Sequence, residues 1–191
     1  GSLPQALRKR LIGARVVMPL YDTISQELKD TMKFVTSISV PVAWRRQYCG
    51  VFEAKAGGVI YYLLDNQYYF KRDSLYGYYD DAERFAFFAR AVLEIIPHIE
   101  FKPDIIHCND WQSALTPVYY NTLYAQRPGY ENIKTVFTIH NIQYQGTYGM
   151  DLLGDVVGLP ESCASLLEYD GDCNFMKGAI ECADRVTTVS P

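Results

Sequence analysis

Two stretches of this chain put residues with chemical potential at the ends of short apolar runs. The first is Lys102 to Leu115, KPDIIHCNDWQSAL. A strand is expected over Asp104 to His107, running directly into Asn109, Asp110 and Trp111, with a helix beginning at Gln112 and Pro103 ahead as punctuation. The second is Thr135 to Gly146, TVFTIHNIQYQG, where an apolar strand delivers His140, Asn141, Gln143 and Gln145. In an open α/β sheet, ligands bind outside the carboxyl ends of the strands, so two such strands would place these polar groups on one edge. An imidazole there can act as acid, base or hydrogen-bond partner. A metal would have to use His107, Asp110 and His140. No metal is expected, because His107 falls within the strand and no supporting carboxylate pattern accompanies it. No Ser or Cys occupies a strand-to-helix elbow of the G-x-S-x-G kind, which removes the nucleophile reading. Cys108 is expected to pack beneath the polar cluster. The chain has no glycine-rich phosphate loop of either common type.

The elements that must position these residues follow from periodicity. Leu3, Leu7 and Leu11 fall four apart, which predicts an amphipathic helix with one stripe on a sheet. Ala14 to Met18 reads as a short buried strand ended by Pro19, and Tyr21 to Asp30 as helical or irregular. Lys33 to Ala43, Arg46 to Ala54 and Val59 to Leu64 read as strands, and Gly57-Gly58 marks a hairpin, so antiparallel strands are appended to the sheet. Asp65 to Tyr79 has no clean period and is expected to be a loop. Asp80 to Ile96 is predicted helical, with acidic residues in its first turn, and Pro97 ends it. Further helices are expected over Gln112 to Tyr124, near Met150 to Val157 and over Cys173 to Ala183, and a last strand over Arg185 to Val189. The alternation of strand and helix in the second half predicts an α/β fold with a doubly wound, mostly parallel sheet. A βαβ unit begins with a strand, so the leading helix implies that a first strand is missing ahead of it.

Composition narrows the function classes. Hydrophobic residues make up 49% and charged residues 21% of the 191, the balance of one soluble globular domain. A net charge of −4 gives no basic footprint, so no nucleic-acid partner is expected. The apolar runs fall short of the roughly 20 residues a membrane helix needs, so no membrane partner is expected. Five unclustered cysteines disfavour a disulfide framework and make the cytoplasm the expected location. Gly1-Ser2 reads as a cloning scar. Tyrosine is in excess, at 16. Tyr61, Tyr62, Tyr119 and Tyr120 are expected to pack. Tyr68, Tyr69, Tyr76, Tyr78 and Tyr79, on or beside a loop, could equally stack on sugar faces or close the loop over a sheet. Trp111, beside Asp110, is the better candidate for a sugar contact.

The blocks RVVMPLY, WRRQYCGVFE, YYLLDNQYYFKRDSLYGYYDDAERFAFFARAVLE, PDIIHCNDWQSAL, TVFTIHNIQYQG and ADRVTTVSP occur in this order and spacing. Together they resemble the bacterial glycogen synthases and plant starch synthases over essentially all of Leu3 to Pro191. The resemblance implies the N-terminal, acceptor-side Rossmann-like half of a GT-B glycosyltransferase. That family transfers glucose from ADP-glucose to the non-reducing end of an α-1,4-glucan with retention, using no metal or other cofactor. It also implies that His140 is the active-site histidine, its side chain at the glucose 6-hydroxyl and its main-chain carbonyl facing the anomeric carbon. Asp110, Trp111, Asn141 and Tyr69 match substrate-side positions. The family's lysine-glycine-glycine-leucine loop has no counterpart here, nor has its C-terminal nucleotide-binding domain, with the arginine-lysine pair and glutamate. RLIGARVV also lacks the usual glycine-histidine. The chain alone is therefore expected to be inactive. The alternatives are a UDP-glucose-dependent GT-B glucosyltransferase and a non-catalytic glucan-binding module.

Overall fold

The computed structural model describes residues 1–190 and divides into two compact units. The first comprises Gly1–Ser39 and Gln47–Tyr78. It opens with helix α1 (Leu3–Lys9), then strand β1 (Arg15–Pro19), helix α2 (Gln26–Asp30), strands β2 (Lys33–Val42), β3 (Arg45–Ala56) and β4 (Val59–Asp65), and the single turn α3 (Gln67–Phe70). These strands form one mixed sheet in the order β1-β4-β3-β2. β1 runs parallel to β4, with Arg15 opposite Ile60, and β3 runs antiparallel to β4. Gly57 and Gly58 make that turn with φ of 57° and 76°, a left-handed pair that residues with a Cβ adopt only at a cost.

The second unit takes the hairpin tip Val40–Arg46 and everything from Tyr79 onward. Its elements are α4 (Asp81–Glu94), β5 (Ile105–Asn109), α5 (Leu115–Tyr119), β6 (Lys134–Ile139), β7 (Thr147–Tyr148), α6 (Ala164–Leu167), β8 (Glu168–Tyr169), β9 (Asp172–Asn174), α7 (Phe175–Cys182) and β10 (Arg185–Thr188). β5, β6 and β10 form a parallel sheet in the order β10-β6-β5, with Asn109 opposite Thr138. β7, β9 and β8 form a small antiparallel sheet. Alternation along the strands sorts the parallel sheet's two faces. Cys108, Phe137 and Ile139 point to the core, where α5 packs against both α4 and α7. There Thr116 on α5 donates its hydroxyl to the Ala89 carbonyl on α4 at 3.1 Å, and Asn121 caps the Cys182 carbonyl of α7 at 2.9 Å.

Several sequence expectations are corrected here. The single doubly wound sheet is instead three sheets, and the parallel one is covered by helices on one face, leaving Ile105, His107 and Thr187 exposed on the other among the described residues. The stripe on α1 buries nothing: Leu3 is exposed, and Leu11, past the helix end with φ of 62°, is 97% exposed. β1 is half-buried rather than buried and keeps Pro19, as a sheet edge allows. Asp65 to Tyr79 is not wholly loop, because the Asn66 side chain accepts from the Tyr69 amide at 3.1 Å and nucleates α3. Gln112 to Tyr124 is broken into three. A 3₁₀ turn (Trp111–Ser113) precedes α5, whose Pro117 must sit in a first helical turn because it has no N–H. A π turn (Tyr120–Tyr124) then closes the segment with an Ala125 N–H to Tyr120 carbonyl bond of 2.8 Å.

All five thiols are unpaired. Burial, seconded by the Asp65 carboxylate, pushes Cys49 up to about 12, and burial pushes Cys108 up to about 12. Burial also pushes Cys173 up to about 11 and raises Cys182. Among the described residues no helix is long and apolar enough to cross a membrane.

Candidate functional site at the carboxyl ends of β5 and β6

β5 is one of the two edge strands of its sheet, and its last residue, Asn109, pairs with Thr138 of β6. Immediately beyond, the chain turns at Asp110 with φ of 60° and ψ of 179°, backbone that only glycine adopts without strain. Such a conformation persists only where its surroundings hold it. The Asp110 amide donates to the Thr138 carbonyl at 3.0 Å, and the Ser113 hydroxyl bonds the Asn109 carbonyl at 2.8 Å. What the turn achieves is the aim of the carboxylate. Asp110 Oδ1 accepts the backbone N–H of His140 at 2.7 Å and that of Asn141 at 3.4 Å. A carboxylate bonded to a main-chain amide makes one of the stronger hydrogen bonds available to a protein. It fixes where the chain leaves β6.

His140 follows the last residue of β6 and is exposed. Its ring Nε2 lies 3.0 Å from Asn109 Oδ1, so the imidazole is held from β5 as well. Two residues back on the same face, Thr138 Oγ1 lies 2.6 Å from His107 Nε2 and 2.7 Å from Thr187 Oγ1, a hydrogen-bonded row across β5, β6 and β10. Partial burial, and secondarily the nearby His140, lower the His107 pKa below the ordinary histidine value. Asn141 turns its side chain back on its own loop, accepting from the Gln143 amide at 3.0 Å. The loop is then tied to the start of α7. Asn174 donates to Gln145 Oε1 at 2.8 Å and caps α7 by accepting from Lys177 N–H at 2.9 Å. The amides of Phe175 and Met176 bond the Gly146 and Gln145 carbonyls. Gly146 has φ of 70°, and a Cβ there would come within 2.8 Å of Trp111 and 3.1 Å of Phe175. Only glycine lets the loop approach so closely.

The structure thus brings together Asp110, His140 and Asn141. It does not bring Trp111 to the surface beside them, and Tyr69 is enclosed within the first unit. Trp111 is 8% exposed, its ring edge-on to Phe85 at 5.2 Å and tilted against Tyr148 and Phe175. Expected as a ring for a sugar to stack on, it is instead the floor beneath the site, because the turn at Asp110 sends the next side chain inward. Tyr69, expected on a loop, lies in the first unit within α3, 0% exposed and against Tyr68 and Phe70. Sequence reasoning placed Asn109 among the polar residues at the strand end but gave it no role of its own, because its bond to His140 depends on strand register; Tyr144 it passed over. Tyr144, 64% exposed on the His140 loop, is the aromatic that does face solvent, and its alternation with the polar residues around it was the available signal. His107, Asp110 and His140 point at Thr138, two backbone amides and Asn109, respectively. Among the described residues no group of three His, Cys, Asp or Glu side chains could hold a metal ion.

Parallel strands that empty polar residues at their carboxyl ends, backed by helices, define an α/β domain of the class that places ligands outside the carboxyl ends of its strands. The chain belongs to the starch synthase catalytic domain family, whose model matches residues 1–191. It is 51% identical over 193 aligned residues to a glycogen synthase of Geobacillus thermodenitrificans and 46% identical to one of Bacillus cereus. Both alignments take in 100% of this chain and 40% of the relative, so the chain spans well under half the length of the relatives it matches. Among solved structures it resembles the catalytic domain of starch synthase IV from Arabidopsis thaliana bound to ADP and acarbose. That match has a TM-score of 0.88 at 30% identity, covering 100% of this chain and 40% of the other.

Proposed function

We propose that the chain is the acceptor-side half of an α-1,4-glucan synthase. The complete enzyme would be a retaining glycosyltransferase of the GT-B kind that moves glucose from ADP-glucose to the non-reducing end of glycogen or a maltooligosaccharide. The observation that carries this reading is His140. It stands exposed at a strand end, with its amide held by Asp110 and its ring by Asn109, in a chain of this family. In the mechanism the imidazole meets a glucosyl hydroxyl, and the adjacent main-chain carbonyl supplies partial negative charge toward an oxocarbenium-like transition state. Asp110 serves by holding that backbone in place, since catalytic gain depends on donors and acceptors that need no reorganisation. Asn141 shapes the loop that frames the acceptor. Trp111 supports the site from below, and the glucan contact expected of Tyr69 has no support in its enclosed ring. ADP-glucose is favoured over UDP-glucose because the solved relative is one bound to ADP. The reading needs no metal or cofactor, and its setting is the cytoplasm.

The test is a His140→Ala substitution in the complete synthase, assayed for ADP release and glucan extension with ADP-glucose and with UDP-glucose. Loss of turnover by about 100-fold or more, with unfolding stability within roughly 0.5 kcal/mol of the parent, is the expected result for an exposed functional side chain. Unchanged turnover removes His140 from the chemistry. Glucan binding without transfer from either donor in the parent itself would replace the enzyme by a binding module. The 191 residues assayed alone are expected to release no ADP.

A further inference from the structure

We propose that Asn109 is a positioning residue that selects the tautomer of His140. A side-chain amide oxygen has lone pairs and no proton, so it only accepts. With Asn109 Oδ1 at 3.0 Å from His140 Nε2, the ring must carry its proton on Nε2. In the neutral imidazole this leaves Nδ1 as the bare nitrogen, and no hydrogen bond to Nδ1 is formed among the described residues. The second ring nitrogen is therefore presented as an acceptor, which suits a hydroxyl donor such as the 6-hydroxyl of a glucosyl group. This part of the inference rests on the function proposed above. The selection of the tautomer does not.

Three features make this a built arrangement and not a passing contact. Asn109 is the last residue of β5, so its Cα is fixed by the ladder to Thr138, and the Ser113 hydroxyl holds its carbonyl. The His140 backbone is fixed independently by Asp110, so the ring pivots from a held point toward a held acceptor. The neighbouring histidine of the same face is occupied elsewhere: His107 Nε2 is bound to Thr138 Oγ1 at 2.6 Å, and that oxygen to Thr187. It does not compete for Asn109. A neutral amide also differs from the carboxylate that often orients a catalytic histidine, because it fixes the proton's position without drawing a second proton onto the ring.

The experiment uses the 191-residue chain labelled with nitrogen-15 histidine. Its three histidines, His98, His107 and His140, are few enough to assign by single substitutions. Long-range proton–nitrogen correlation at a pH where the ring is neutral should show His140 with a protonated Nε2 and an unprotonated Nδ1. Asn109→Leu, of similar size but without an acceptor, should move both nitrogen shifts toward a tautomer average, while His107 shifts and amide dispersion stay as in the parent. Asn109→Asp, which keeps an acceptor oxygen, should retain the protonated Nε2. A parent spectrum with the proton on Nδ1, or an Asn109→Leu spectrum identical to the parent's, overturns the proposal. In the complete synthase, Asn109→Leu should lower kcat by about 10-fold with KM for the donor little changed. A lost tautomer with unchanged kcat overturns the positioning role. A parent enzyme without transferase activity would defeat only the proposed function, since the nitrogen spectra stand apart from it.

Discussion

At the end of β5 the side chains turn inward or sideways. Trp111 drops into the core, Asp110 reaches across to two amides, and Asn109 reaches across to a ring. At the end of β6 the chain turns outward, and His140, Asn141, Gln143 and Tyr144 all meet solvent. The two ends are neighbours in one parallel sheet, yet the strain is stored in the first, at Asp110, and the exposed chemistry is presented by the second. A strand end that must hold a group steady has to be over-determined, whereas the end that is held can be left open for a ligand. The comparison implies that substitutions in the turn after β5, at Asp110 and Trp111, damage fold and function together, and those in the exposed loop after β6 damage function alone.

Trp111→Ala should break the holding end most severely. Removing a buried indole that packs on Phe85, Tyr148 and Phe175 is expected to cost about 3–5 kcal/mol of unfolding free energy, read from urea denaturation. A substitution that raised KM for glucan and left stability intact would mean that the ring faces the substrate after all. Asp110→Ala comes next. It removes the acceptor for the His140 amide and places alanine at φ of 60°, so kcat of the complete synthase should fall about 100-fold, or roughly 2.7 kcal/mol. Asp110→Asn, which keeps an oxygen in place, should recover most of that. If asparagine is as poor as alanine, Asp110 acts on the substrate directly and the division between holder and held is wrong. The smallest effect is expected at His107. Its pKa lies below the unfolded-state value of about 6.5, so the stability it contributes is complete above that pH and is lost as pH falls toward the folded value. His107→Gln should flatten the decline of the urea midpoint over that acid flank, and an unchanged slope would show that His107 does not carry it.

The sequence made parts of this legible for a physical reason. β5 and β6 were readable because an apolar run that stops at polar residues is a local signal, and β2 to β4 because alternation and Gly57-Gly58 are local too. β7, β8 and β9 are two or three residues each, too short for any period to register, and they exist only because they pair. The inward fate of Trp111 depends on one backbone dihedral at Asp110, which no pattern of residue types encodes. The division of the strands among three sheets, and the bond from Asn109 to His140, depend on pairing and register between distant segments. Tyr69 misled because an aromatic-rich stretch without periodicity reads as loop, while the Asn66 cap that orders it is a single side-chain contact.

The state of the thiols carries a practical corollary. Cys49, Cys108, Cys173 and Cys182 are buried, with ionisation suppressed, so at neutral pH the thiolate that a maleimide or iodoacetamide attacks is scarce at all four. Cys163, half-exposed at the end of a short 3₁₀ turn, is left as the natural handle. The chain therefore accepts a single fluorophore or spin label with no cysteine removed, at a position the protein already provides.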